Sequence, residues 1–316
     1  MQISGGATLT GGANMGTGGS GGGGGASDGY TSGGESGPGS ALNIINKFSF
    51  SSDSNATDVG NLSSTTAYLS GQSSSENGYA SGGQRGPYVN SISKFSFATN
   101  GDASNIGNLS GGLSRHSGQS SSENGYASGG QAMPGITSII QKFPFSSDSG
   151  SSNVANLSTA IANSAGQSSS NHGYSSGGEN SSVVAVDDIE KFAFASDGNG
   201  SSIGDLTLPM RFSAGQSSNS HGYVSGMKAP EFTDTINKFP FASDSNATDV
   251  GDLTVGRREA SGQSSSSSGY SSGGVETEFP GLKVNTIDKF PFSSDANATD
   301  VGDLTVILAS SSGQQG

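Results

Sequence analysis

The strongest constraint on this chain is a set of four short words that recur in the same order six times. The word Ile-x-Lys-Phe-x-Phe places its lysine at Lys47, Lys94, Lys142, Lys191, Lys238 and Lys289, so successive copies lie 47–51 residues apart. A Gly-Tyr word precedes each, at Tyr30, Tyr79, Tyr126, Tyr174, Tyr223 and Tyr270. A third word ends at Leu62, Leu109, Leu157, Leu206, Leu253 and Leu304, and a Gly-Gln word begins at Gly71, Gly118, Gly166, Gly215, Gly262 and Gly313. A unit of this length in this many copies belongs to propellers, solenoids or arrays, where each unit covers the apolar face its neighbour exposes.

Composition alone points elsewhere. The 53 glycines, the serine runs, 30% hydrophobic residues and the absence of Trp are marks of a low-complexity linker. Periodicity overrules them, because a disordered segment gains nothing by keeping Phe, Leu and Tyr in phase over six cycles. The formal charge of −13 and a pI near 4.4 argue against nucleic acid as a partner, since phosphate binding needs a basic footprint. Cysteine is absent, which excludes disulfides, a thiolate nucleophile and thiolate metal sites. No apolar run approaches the length of a membrane span, and no basic-then-apolar leader follows Met1. The expectation is a soluble protein without a signal peptide or membrane insertion.

The chain divides into residues 1–28, a Gly-rich N-terminal tail or attachment arm, and residues 29–316, the six repeats. Each repeat reads as four short strands. The Tyr strand ends in Gly-Gly, as at Gly33-Gly34 and Gly273-Gly274, except in the fifth copy, which has Gly226-Met227. A variable connection then leads to the Lys-Phe strand, where alternation sets Ile287 and Lys289 on one face and Phe290 and Phe292 on the other. A turn-rich link feeds the Leu strand, and the Gly-Gln-Ser strand follows. No segment sustains a period of 3.6 residues, so the fold class is all-β.

This order of a Tyr strand with Gly-Gly, an Ile-x-Lys-Phe strand, a Gly-x-Leu strand and an Arg before the next small-residue strand resembles the kelch repeat. The resemblance implies four-stranded blades and a six-bladed kelch-like β-propeller over residues 29–316. Two features depart from the pattern. Val59, Ile106, Val154, Ile203, Val250 and Val301 stand where the kelch repeat has Trp, and the Arg is found only at Arg115, Arg211 and Arg257. Kelch-like blades begin with the inner strand, here the Gly-Gln-Ser strand. The first repeat lacks one, whereas residues 308–314 supply a spare, so the C-terminal strand is expected to join the first blade and close the ring. The Ser-Gly-Gln-Ser and Asp-x-Asn-Ala-Thr-Asp wording also resembles repeat proteins of marine phage virions and tails.

Two residue sets are candidates for binding. The inner-strand glutamines Gln72, Gln119, Gln167, Gln216, Gln263 and Gln314 are expected to form a ring near the axis among serines. Such a ring either takes a small polar ligand or satisfies its own hydrogen bonds. The link motif Asp-x-Asn-x-x-Asp offers oxygens at Asp53, Asn55 and Asp58, at Asp244, Asn246 and Asp249, and at Asp295, Asn297 and Asp300. Calcium takes such ligands, and Asp and Asn also cap turns through their own backbone. No copy carries the bidentate Glu of an EF-hand loop, so no cofactor is expected beyond a possible calcium. His172 and His221 sit where other repeats have Asn or Ser, which suits a loop role, and His116 is the third histidine. No nucleophile elbow or phosphate loop is found, and the expectation is a protein that is not an enzyme. The six lysines are read as stems packed on the next blade with heads reaching local Asp residues.

The connections at residues 84–90, 131–137, 179–187, 228–234 and 275–285 differ most between copies and are the expected recognition surface. The functional expectation is a structural or adhesion module on a virion, tail or other extracellular particle. Its partners would be other virion proteins or a host-surface glycan. The alternatives are an intracellular kelch-type interaction scaffold and a carbohydrate-active propeller enzyme.

Overall fold

Each repeat folds as one antiparallel sheet, with the Gln, Tyr, Lys-Phe and Leu words on successive strands. The computed structural model describes residues 26–37, 39–228, 232–276 and 281–316. The second blade shows the plan: inner strand Ser70–Ser73, then Asn77–Ser81, then Ser91–Ser96, then outer strand Ser104–Asn108. The inner strands of the next four blades are Ser117–Ser120, Ala165–Ser168, Ala214–Ser217 and Ser261–Ser264. Six such sheets stand round one axis as a β-propeller, each inner strand touching the next, with no helix among the described residues.

The ring closes as the register predicts. Ser312–Gln315 pairs antiparallel with Asp28–Ser32, placing Tyr30 opposite Gln314, and so completes the first blade. The seam therefore presents no unpaired strand edge. Of the expected N-terminal arm, residues 1–25 lie outside the described residues; Ser27 donates its backbone N–H to Gly316 O at 2.7 Å, and Asp28 already belongs to the sheet.

The words are explained by packing between blades. Each Tyr ring lies against two Phe rings of the following blade, the nearer at 4.6–4.9 Å between centroids and the other at 5.5–5.7 Å. Tyr79 on Phe143 and Phe145 is one such triplet. Aromatic pairs of this kind contribute about 0.5–1.5 kcal/mol beyond their buried area. They occupy space between blades that has no Trp to fill it. The Gly of the Gly-Tyr word is required by the same stack, because a Cβ there would lie 2.3–2.4 Å from the Phe ring on the adjoining strand.

The lysines behave as expected. Lys94 reaches Asp148 at 2.7 Å, Lys142 reaches Asp197 at 2.6 Å, and Lys238 and Lys289 reach Asp295 and Asp53 at 2.9 Å, each crossing to the next blade. Lys191 pairs likewise with Asp244. Lys47 is the exception: the second blade has Asn100 where the others have Asp, and Lys47 turns to Asp28 of its own blade at 3.3 Å. Partly exposed pairs like these contribute about 0.2–1 kcal/mol each. The fifth blade shows what its missing glycine does. With Met227 buried in place of the second Gly, strands His221–Lys228 and Phe232–Pro240 run on as a longer hairpin.

Candidate functional site

At the axis, the inner strands approach closer than any side chain allows. A Cβ on Gly71, Gly118, Gly166, Gly215, Gly262 or Gly313 would lie 2.0–2.3 Å from the carbonyl oxygen of the equivalent Gly in the preceding blade. That contact explains the Gly of the Gly-Gln word. The glutamines beside them are 2% exposed or less, and their amides cross the seams. Gln119 Nε2 donates to Tyr174 O at 2.8 Å and Gln314 Nε2 to Tyr79 O at 3.0 Å, with equivalent bonds from Gln72, Gln167, Gln216 and Gln263. Of the six glutamine side-chain oxygens, Gln72 Oε1 and Gln216 Oε1 are buried without a partner. A polar cavity of about 140 Å³, edged by Gly, Ser and Gln of the inner strands, runs along the axis.

A second seam is made by serines. The backbone N–H of Ser73, Ser120, Ser168 and Ser217 each donates to the Oγ of the equivalent Ser one blade on, at 2.9–3.1 Å, and Gln315 N donates to Ser73 Oγ at 3.1 Å. Ser264 N would need its acceptor at position 315, where Gln stands instead of Ser.

The link motif divides its oxygens among three tasks. Asp53, Asp244 and Asp295 take the lysine of the preceding blade, as described above. Asn55 Oδ1 accepts from Asp303 N at 3.0 Å, Asn246 Oδ1 from Asp205 N at 3.1 Å and Asn297 Oδ1 from Asp252 N at 3.2 Å. Asp58, Asp249 and Asp300 cap their own turns by accepting from Gly60 N, Gly251 N and Gly302 N at 3.1–3.2 Å. Among the described residues, no group of three or more His, Asp or Glu is placed to hold a metal ion. His172 and His221, expected in loops, instead open the second strands of their blades, paired with Ala193 and Pro240, with burial holding both imidazoles below the usual range. His116 is buried, its Nε2 is 3.2 Å from Ser81 Oγ, and burial lowers its pKa to about 3. No acid touches its Nδ1, so Ser81 and His116 do not make a catalytic triad.

One face of the wheel carries the second-to-third and outer-to-inner connections, and the axis opens onto it through a ring that the repeat words hide. Six residues, one per blade, lie just before the inner strands: Tyr68, Arg115, Asn163, Phe212, Glu259 and Ser310. All six have φ between 56° and 61°, the left-handed region. Each donates its backbone N–H to the carbonyl of the equivalent residue in the preceding blade at 2.7–2.9 Å, and Tyr68 N closes the circle on Ser310 O. A left-handed L-residue costs roughly 1–2 kcal/mol, and Gly is the usual occupant. This chain is rich in Gly and uses none of it here.

The six side chains surround a cavity of about 90 Å³ at the mouth of the axis. Blades three apart face each other in a six-membered ring, so Tyr68 stands opposite Phe212, Arg115 opposite Glu259, and Asn163 opposite Ser310. Arg115 stacks on Tyr68 at 4.6 Å. Burial, with Glu259 and Glu35 nearby, pushes the Tyr68 phenol above its usual range, against the opposing pull of Arg115 and a hydrogen bond with Ser310. Ser310 Oγ donates to Glu259 Oε2 at 2.8 Å, and Glu259 pairs with Arg258. Arg258 and Arg211 both lie 5.6 Å from the Phe212 ring. Arg211 reaches Glu179 at 2.6 Å, and Asn163 Nδ2 donates to Glu179 Oε1 at 2.8 Å.

The arginines taken as one element of the kelch pattern occupy three different positions. Arg115 is in the ring, Arg211 precedes it by one residue, and Arg257 by two, where it is buried against Asp288. The residue two positions before each inner strand is different in all six copies, and its neighbours vary as well, so no repeated word marks the ring. The same face also carries every large hydrophobic side chain that is exposed among the described residues: Met133, Val183, Val184, Leu208, Val255, Leu282 and Ile307, each 45–84% exposed. The expected recognition connections 84–90, 131–137 and 179–187 lie on it, as do the described parts of 228–234 and 275–285; residues 229–231 and 277–280 lie outside the described residues. No helix among the described residues is long and apolar enough to cross a membrane. No protein-family model matches the chain, and no curated protein matches it in sequence.

Proposed function

We propose that this protein is a non-enzymatic adhesion module that binds a partner through the face carrying the variable connections. The observation that supports this most is the segregation of all seven exposed large hydrophobic side chains to that face. Apolar side chains confined to one face of the wheel mark that face out from the rest of the surface, and loops on a rigid scaffold are where recognition varies. In this reading the wheel is kelch-like and belongs to a virion or tail, and the partner is a host-surface glycan or a neighbouring virion protein. An intracellular interaction scaffold would use the same face. A carbohydrate-active enzyme would need convergent acid and base groups, and the mouth ring offers one carboxylate, Glu259, already paired with Arg258.

The test is a glycan array with the full chain, run beside a Met133→Asp/Leu282→Asp variant, with mass spectrometry of purified particles. Glycan binding that the variant loses while melting like the parent supports the reading. A protein that binds no glycan and is absent from particles refutes it.

A further inference from the structure

The axial mouth holds a cation that the protein itself leaves unanswered. Arg211, Arg258 and Lys283 at this face pair with Glu179, Glu259 and Glu35. Arg115 has no carboxylate partner among the described residues; its Nε is buried without a hydrogen bond, as are those of Arg211, Arg257 and Arg258. This is notable in a chain with a formal charge of −13. Side-chain contacts run round the mouth from Arg115 through Tyr68, Ser310, Glu259, Arg258, Phe212, Arg211 and Glu179 to Asn163. Between Asn163 and Arg115 only a backbone bond closes the ring, Asn163 N to Arg115 O at 2.7 Å. The guanidinium therefore stands beside the one break in the circle.

We infer that the axial mouth is a ligand site for a single carboxylate-bearing sugar, with the carboxylate on Arg115. The inference rests on the adhesion reading above and deepens it. A planar guanidinium matches a carboxylate in a two-pronged hydrogen bond. Among the residues that line the mouth, Arg115 is the cation without a carboxylate partner, which suits one negative charge, whereas a dianion would carry a surplus into an unfavourable field. The rest of the ring suits a polyhydroxylated body. Asn163 has a second amide N–H beyond the one given to Glu179, Ser310 Oγ accepts because its proton is donated to Glu259, Glu259 accepts, and the Tyr68 and Phe212 rings give apolar walls on opposite sides. Six side chains held at left-handed backbone positions, where Gly would fit without strain, are best explained by what the side chains do. Strain of this kind gathers at ligand sites.

The experiment is ligand-observed NMR titration of the full chain with D-glucuronate, D-glucose and propionate, repeated on Arg115→Gln. The expected result is saturable glucuronate binding, with glucose, propionate and the variant each weaker by on the order of tenfold, the scale of one lost charge-assisted contact. The wild-type comparison of glucuronate with glucose needs no variant to fold. No glucuronate binding, equal binding of glucose, equal binding of propionate, or an undiminished affinity in a folded Arg115→Gln protein would each overturn the inference. Array hits on neutral glycans that survive Arg115→Gln would keep the adhesion function and reject this site.

Discussion

Substituting Gly166 by Ala tests the geometry of the axis directly. Its new Cβ would meet Gly118 O at 2.3 Å, Gly118 N at 3.0 Å and Gly118 C at 3.1 Å. A carbon resting on a carbonyl oxygen needs roughly 3.3 Å or more, so the inner strands must part by about 1 Å. In an open sheet one edge could swing away. In a closed ring of six, every seam shares the displacement, including the Gln and Ser bonds across it. Overpacking of this kind costs about 1–3 kcal/mol. At roughly 2.1 cal/mol/K per residue over a propeller of this size, the melting midpoint should fall by about 2–5 °C. The assay is thermal melting by circular dichroism beside Gly111→Ala, a position whose Cβ would meet nothing within 4 Å. That control should be neutral or gain up to about 1 kcal/mol from a stiffer unfolded chain. If Gly166→Ala melts with Gly111→Ala, the inner strands are not in the contact described, and the reasoning fails.

Three further outcomes follow from the same frame. His116 has a folded pKa near 3, so between about pH 6.5 and 3 the unfolded chain binds a proton that the folded one does not. Its contribution is complete above that window and is lost at about 1.4 kcal/mol per pH unit as pH falls through it; His116→Leu, the residue Leu69 supplies at the same place one blade back, should flatten that part of a denaturation series against pH. Gln315→Ser should give Ser264 N the acceptor that the other seams have, adding about 0.5–1.5 kcal/mol by urea melting; an unchanged midpoint would show that the seam is satisfied another way. Removing residues 312–316 should strip the closing strand from Asp28–Ser32 and abolish the single cooperative melt, and a truncated protein melting like the parent would exclude closure by that strand.

The frame was legible because its words are contacts. Tyr and Phe recur since each seam needs the same aromatic triplet, and Gly recurs before Tyr and before Gln because a Cβ would strike a ring in one case and a carbonyl in the other. Repetition also gave the closure, since a spare Gly-Gln strand at residue 313 has one vacancy to fill. The mouth was illegible for the converse reason. Tyr68, Arg115, Asn163, Phe212, Glu259 and Ser310 share a backbone shape and no chemistry, so a search for repeated residues passes over them. Arg115 was misfiled with Arg211 and Arg257 because spacing by one or two residues looks like looseness in a sequence and becomes a different address in a blade. The Asp-x-Asn-x-x-Asp links were ambiguous for a third reason: ligand atoms and turn caps use the same oxygens, and only their bonding partners tell the two apart.

The hydrogen-bonded hoop of six backbones at the mouth draws on no side chain for its support. Each amide answers its neighbour's carbonyl for any residue that keeps an N–H and tolerates a left-handed backbone, so the rim can change while the wheel beneath stays as it is. Such a lip separates grip from frame: its side chains, coupled to one another at Tyr68–Arg115 and Glu259–Ser310, are held by a hoop that none of them builds.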